Sequence, residues 1–314
     1  MLYHCLWQIR IRRISCCNFA YSALSNTLQC EQFFMYPCSP GAATLPMPKR
    51  PPRRLPPIHD AAGIAKSREA GMLAARVLEM LTPHVKPGVS TEHLDQLCHD
   101  FIVNELQCIP ANIGYYGYPK TVCTSVNHVV CHGIPTPKEI LKDGDIVNVD
   151  VALIKDGWFG DTSRMYTVGH VSAKAQKLID TTYEAMVAGI RAVKPGATLG
   201  DIGYAIQTVA HRDGFSIVRD YCGHGIGQVY HDEPQVLHYG HPGQGMALQE
   251  GMIFTIEPML NAGKHDTKEL SDGWTVITKD KSLSAQWEHM VLVTATGYEV
   301  LTPWPEGTGK YAKP

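Results

Sequence analysis

Apolar residues recur along this chain with the period of a helix in some stretches and of a strand in others, and the order of these stretches occurs twice. Leu73, Val77, Met80 and Leu81 mark one face of a first helix, so the folded unit is expected to begin near Ile64. Leu94, Leu97, Cys98, Phe101 and Ile102 then follow the i, i+3, i+4, i+7, i+8 stripe of an amphipathic helix, and Ile202, Ala205, Ile206, Val209 and Ala210 repeat that stripe one for one. Ser90 and Thr198 precede these two helices, where a hydroxyl can accept an orphan amide of the first turn. The β-rich runs 121–126 and 145–149 read as strands.

The duplication extends to whole motifs. Leu141-Lys-Asp-Gly-Asp-Ile-Val-Asn-Val-Asp150 returns as Leu248-Gln-Glu-Gly-Met-Ile-Phe-Thr-Ile-Glu257, and Val85-Lys-Pro-Gly88 returns as Val193-Lys-Pro-Gly196. Two halves, about 64–168 and 172–302, are therefore expected to face each other across a pseudo-twofold axis. Helices followed by strands, twice, indicate an α+β fold in which a curved antiparallel sheet is backed by helices. The two repeated strands end in Asp150 and Glu257, so a site on the axis would receive one acid from each half.

Asp156-Gly157 favours a two-residue type I′ hairpin, which places position 161 opposite 152 and makes Asp150 and Asp161 diagonal neighbours on one face. Two carboxylates on so apolar a hairpin repel each other and resist desolvation unless a cation neutralises them. The second half adds His224, bare between glycines in Cys222-Gly-His-Gly-Ile-Gly227, then His231, Glu257, and Glu288 just before an apolar strand at 290–293. One imidazole with four carboxylates is an oxygen-rich set that suits two divalent ions such as Mn, Fe, Co or Zn and differs from thiolate-rich structural zinc sites. Four acids balance two dications and leave a bridging water or hydroxide as nucleophile.

Charge and cysteine usage separate the first residues from the rest. The net charge is −2, yet residues 1–57 hold seven Lys/Arg against the single Glu31. The remaining 21 basic and 29 acidic residues make the body acidic, which argues against a nucleic-acid site there. No apolar run approaches the ~18 to 20 residues of a membrane span. Five of the ten cysteines fall in the basic leader, and the rest are scattered singly without a C-x-x-C pair, so a reducing compartment is expected. Residues 46–57 are too rich in proline for a helix or an interior strand; they read as a solvated linker or a polyproline ligand. Arg10, Arg12 and Arg13 before them give residues 1–45 the look of a mitochondrial transit peptide, and translation from Met35 or Met47 is the competing explanation. The expected division is a leader at 1–58, a catalytic domain at 59–302 and a tail at 303–314.

Cys131-His-Gly-Ile-Pro135, Asp143-Gly-Asp-Ile-Val-Asn-Val-Asp150, Gly160-Asp-Thr-Ser163, Gly223-His-Gly-Ile-Gly227, Phe254-Thr-Ile-Glu-Pro258 and Ser284-Ala-Gln-Trp-Glu288 together resemble the type I methionine aminopeptidases of bacterial kind, over roughly 60–302. The resemblance implies the pita-bread fold and removal of the initiator methionine from nascent polypeptide N-termini when the second residue is small. It implies that Asp161 and Glu288 bridge two metal ions, that His224 and Glu257 complete the shell of one, and that Asp150 chelates the other. It further implies that Glu257 accepts the proton of the nucleophile, that His132 meets the scissile amide nitrogen, and that His231 binds the substrate carbonyl and its oxyanion. Tyr115, Tyr118, Cys123, Tyr230 and Trp274 would wall the methionine pocket. Asn112 stands where bacterial relatives often have cysteine, and Tyr230 where phenylalanine is frequent. A cytoplasmic monomer is expected, with the Pro-Arg segment able to dock on a partner such as the ribosome.

Two other functions fit less well. Proline-specific (Xaa-Pro) peptidases of the same fold commonly carry a large structured N-terminal domain, which this leader is too short to be. A non-catalytic peptide-binding module need not keep the ligands, and here all five are present. The span from His231 to Glu257 leaves no room for the helical insertion of type II relatives.

Overall fold

The computed structural model describes residues 55–304, and the expectations for the leader before residue 55 and the tail beyond 304 lie outside the described residues. The first helix, α1 (Ala61–Leu81), starts at an Asp60 cap whose carboxylate accepts the Gly63 amide at 2.8 Å. Its fully buried face is Ala70, Ala74, Val77, Leu78 and Leu81, while Leu73 and Met80 of the predicted stripe are partly buried at the margin of that cluster. The shift has a steric cause. Helix α1 lies so close to the strand carrying Gly160 that a Cβ there would run into the Ala70 carbonyl, so small residues face the sheet.

Helix α2 (Thr91–Asp100) is capped by Ser90 and runs into a π-helical turn, Phe101–Glu105. In the second half α3 (Ala173–Arg191) is capped by Ser172, and α4 (Leu199–Arg212) by a reciprocal capping box between Thr198 and Asp201. Helices α2 and α4 bury the same repeat positions. Leu94, Cys98 and Ile102 are solvent-free like Ile202, Ile206 and Ala210, and Leu97 and Phe101 are half-buried like Ala205 and Val209.

The first half holds β1 (Ile109–Pro110), β2 (Val122–Val126), β3 (Val129–Cys131), β4 (Ile146–Lys155) and β5 (Trp158–Thr167). The second holds β6 (Ser216–Ile217), β7 (Gly223–Gly225), β8 (Asp232–Val236), β9 (Ile253–Ile256), β10 (Met259–Asn261), β11 (Thr267–Glu269), β12 (Val276–Thr278), β13 (Ser284–Gln286), β14 (His289–Val293) and β15 (Tyr298–Val300). These strands form four ladders whose pairings are all antiparallel: β1 and β2 with β4, itself paired to β5; β13-β10-β6; β11-β12-β3; and β15-β14-β9-β7-β8. Asp156 and Gly157 both take positive φ, 48° and 81°, which gives the predicted hairpin its register of Ala152 opposite Asp161 and Asp150 opposite Ser163.

The repeat is reproduced bond for bond. Gly88 N donates to Leu141 O at 2.8 Å as Gly196 N does to Leu248 O at 3.0 Å, and Leu141 N donates to Val89 O at 2.8 Å as Leu248 N does to Ala197 O at 2.7 Å. Gly144 N reaches Val168 O at 2.8 Å just as Gly251 N reaches Val293 O at 2.9 Å. The β4–β5 hairpin of one half therefore corresponds to the β9–β14 pair of the other. The halves join through the β3–β12 pairing and, at the site, where Ser163 of β5 and Glu288, between β13 and β14, form an isolated antiparallel bridge.

Candidate metal centre and active site

The five predicted ligands come together at that junction. Ligand atoms of Asp161, His224 and Glu288 lie within 4.8 Å of one another, and all three residues are buried. His224 Nε2 stands 3.4 Å from Asp161 Oδ2 and 3.7 Å from Glu257 Oε1. Asp150 lies diagonally across the hairpin from Asp161, and Cys123 is its neighbour on the other side. The other nitrogen of His224, Nδ1, approaches Gly225 O at 3.1 Å, which as a donor contact leaves Nε2 with its lone pair toward the acids.

This cluster is short of positive charge. Asp150 Oδ1 and Asp161 Oδ1 are buried without a hydrogen-bond partner. Burial, then the Asp161 and Glu257 charges, drives the Asp150 carboxyl well above its ordinary range; burial, then Asp161, Glu257 and Asp150, does the same for Glu288. Burial disfavours the His224 imidazolium, yet Asp161 and Glu257 outweigh it and raise its pKa. Each shift reports the same deficit, and bound cations would cancel it. The donor set fits divalent ions.

Several residues that orient these ligands were not singled out in the sequence. Thr255 Oγ1 accepts the His224 amide at 3.0 Å and donates to Glu257 Oε1 at 2.7 Å; Gln286 Nε2 donates to Glu257 Oε2 at 3.2 Å; and buried His238 Nε2 accepts the Glu257 amide at 3.1 Å. Asn148 Nδ2 donates to Ser163 Oγ at 3.1 Å within its own half and to Gln286 O at 2.8 Å in the other, so the second bond ties the halves together. A signal for two of them existed. Thr255 and Gln286 each precede an acid by two residues, the spacing that puts side chains on one face of a strand.

The remaining predicted residues form the walls. His231 Nδ1 lies 2.8 Å from the Tyr115 hydroxyl, and its ring packs 4.1 Å from both the His224 and Tyr230 rings. Burial, then the neighbouring His224 and His132, lowers its pKa well below normal. His132 takes a left-handed φ of 56°, stands edge-on to Tyr221 and Trp274, and is held near pKa 4 by burial, hence neutral at pH 7. Trp274 packs on Tyr118 at 5.0 Å, whose hydroxyl donates to Gly133 O at 3.0 Å beside His132. Cys123 is a buried thiol whose pKa is pushed up by burial and by Asp150. Tyr230 stacks on Phe159 and packs 4.9 Å from Tyr115.

A buried carboxylate–histidine cluster at the junction of duplicated halves defines a metal-dependent hydrolase, and comparison with known proteins agrees. The profile of metallopeptidase family M24 matches residues 65–295. Methionine aminopeptidase of Rickettsia prowazekii (strain Madrid E) is 57% identical over 250 residues, covering 79% of this chain and 96% of the relative; that of Escherichia coli (strain K12) is 56% identical over 239 residues, covering 76% and 90%. The crystal structure of the Rickettsia prowazekii enzyme superposes with a TM-score of 0.78 over 79% of this chain and 100% of that one. Prolidase from Pyrococcus furiosus, with a TM-score of 0.63 at 20% identity, 79% of this chain and 66% of that one, shares the fold alone. The chain belongs to metallopeptidase family M24 and has its pita-bread fold. Within that family it falls with the methionine aminopeptidases of bacterial type I, and it is a metal-dependent aminopeptidase.

Proposed function

We propose that this enzyme removes methionine from nascent polypeptide N-termini whose second residue is small, using two divalent ions, Mn, Fe, Co or Zn, held by Asp150, Asp161, His224, Glu257 and Glu288. The observation that carries the reading is the buried, uncompensated set of carboxylates around the single His224 imidazole. Asp161 and Glu288 would bridge, His224 and Glu257 would complete one ion's shell, and Asp150 would chelate the other. When bound, the ions supply Lewis acidity toward the scissile carbonyl and lower the pKa of a water to near neutrality.

The chain's own groups do the rest. Glu257, oriented by hydrogen bonds from Thr255 and Gln286, accepts the proton that the nucleophile loses. With the Tyr115 hydroxyl at Nδ1, His231 turns Nε2 toward the substrate carbonyl and its developing negative charge. Neutral His132 meets the scissile amide nitrogen. Tyr115, Tyr118, Cys123, Tyr230 and Trp274 enclose the methionine side chain, aromatic faces and a polarizable thiol being suited to a thioether.

All five ligands come from one chain, which supports a monomer. The five cysteines of the described residues are free thiols, consistent with a reducing cytoplasm, and no described helix is long and apolar enough to cross a membrane. A leader at 1–58 and a catalytic domain beginning at 59 agree with a first helix starting at Ala61 and a family match beginning at 65, whereas Trp304, buried against Trp287 and His289, belongs to the core, so the tail expected at 303–314 is taken as the residues after 304. The basic leader would serve targeting or docking near the ribosome. Chelator-stripped protein assayed on Met-Ala-Ser, Met-Gly-Ser and Xaa-Pro peptides after return of each ion tests the reading. Activity that survives full stripping, or a preference for Xaa-Pro, would overturn it.

A further inference from the structure

Asn112 and Tyr230, the two positions at which the sequence resemblance leads one to expect cysteine and phenylalanine, are joined to each other. Tyr230 Oη donates to Asn112 Oδ1 at 2.8 Å, and Asn112 Nδ2 donates to Thr121 O at 3.0 Å. Both residues are buried, each with 7% of its surface exposed, and they come from opposite halves of the fold. The path continues. The peptide unit that offers the Thr121 carbonyl also carries the Val122 amide, which donates to buried Asp95 Oδ1 at 3.0 Å, where the Thr121 amide arrives at 2.8 Å. One hydrogen-bonded line thus runs from a carboxylate on α2, through a peptide and a side-chain amide, to a phenol in the pocket wall. Each donor in it is polarised toward the same anion, and bonds aligned in this way strengthen one another.

The phenol at the end of this line belongs to the ring that packs 4.1 Å from His231 and 4.9 Å from Tyr115. With its hydroxyl tied to Asn112, Tyr230 turns its ring, not its oxygen, toward that space. We propose that Asn112 and Tyr230 form one specificity-determining unit, Asn112 as a positioning residue, which fixes the wall shared by the methionine side chain and by His231, so that side-chain fit and carbonyl orientation are set together. This deepens the reading of the pocket given above and rests on it.

A double-mutant cycle tests the unit. Tyr230→Phe removes one oxygen and leaves Asn112 Oδ1 buried without its donor; Asn112→Cys leaves the Tyr230 hydroxyl buried without its acceptor. Each single variant is expected to lose roughly ten-fold in kcat/KM on Met-Ala-Ser, with KM raised and the preference over norleucine-Ala-Ser narrowed, the scale of one unsatisfied buried polar group. The double variant is expected to lose no more than the worse single one, because neither orphan remains. Losses that multiply in the double variant would overturn the proposal. So would single variants with lower melting temperatures but unchanged KM and methionine preference, which would make the bond structural only. Metal content, measured alongside, shows whether a loss arises at the ligands instead. If the parent protein cleaves Met-Ala-Ser and the cycle shows no coupling, only this inference fails; a parent that prefers Xaa-Pro would instead sink the underlying reading.

Discussion

Ser163 and Glu288 pair across the junction of the two halves, the Glu288 amide donating to the Ser163 carbonyl at 3.2 Å, and they are each other's counterparts in the repeat. Ser163 lies opposite Asp150; extending the pairing of Ile256 with His289 by one residue brings Glu288 opposite Glu257, the repeat partner of Asp150. Glu288 therefore sits on the pseudo-twofold axis itself. Its equivalent in the first half is a small hydroxyl.

That position makes Glu288, with Asp161, the residue whose charge both ions would share. Asp161→Asn and Glu288→Gln are expected to purify without a full metal complement and without activity. His132→Ala is expected to keep its metals and lose roughly 10²- to 10⁴-fold in kcat, the scale of a proton-transfer group. Metal analysis beside steady-state kinetics separates the two outcomes, and a metal-free His132→Ala protein would contradict the role given to His132.

Metal-free protein should be more stable without one of its acids. The raised pKa of Asp150 means that the folded, stripped protein binds a proton more tightly than the unfolded chain, so this contribution is full at low pH and is lost as pH rises through the folded value. At pH 7.5, above the ordinary carboxylate range, the buried group opposes folding. Asp150→Asn is expected to raise the melting temperature in chelator by a few degrees, about 2 to 4 °C for each kcal/mol recovered in a domain of this size. The gain should shrink toward pH 4, and a lower melting temperature at pH 7.5 would refute it.

Much of this arrangement was legible beforehand. Asp156-Gly157 dictates the hairpin register because both residues tolerate positive φ, and the duplicated motif ending in Asp150 and Glu257 points to two of the clustered acids because strand alternation keeps an acid on one face. The buried face of α1 departs from the predicted stripe. Leu73 and Met80 are larger and more apolar than Ala70 and Ala74, but the close approach at Gly160 selects by size, which periodicity does not register. The supports of Glu257 from His238, and of Tyr230 from Asn112, depend on chain segments 19 and 118 residues apart and have no local pattern.

Acid should unfold this protein partly through buried neutral histidines. His289 is buried against Thr302 and Trp304, and its pKa is lowered by burial from 6.5 to about 3. Between those values the unfolded chain binds the extra proton, so stability is present at neutral pH and falls as pH drops. His289→Gln is expected to flatten the dependence of unfolding free energy on pH between 4 and 6 by up to about 1.4 kcal/mol per pH unit. An unchanged slope in denaturant titrations would show that the imidazole is not held neutral.

A shortened chain beginning at Met47 is expected to match the full chain in kcat/KM on a free tripeptide, because the repeat begins near Ile64 and the acids and histidine of the proposed metal centre lie between residues 150 and 288. A ten-fold or greater loss would mean that the leader contributes to the active face, against the proposed division of the chain.

The Ser163–Glu288 bridge also limits how the two copies of the half-domain can diverge. A side chain on a twofold axis meets its own duplicate, so identical copies bearing an acid there would set two carboxylates against each other at the centre of the molecule. Residue 163 is therefore expected to stay small for as long as residue 288 stays acidic, and drift at either position is answerable to the other although the chain separates them by more than a whole repeat.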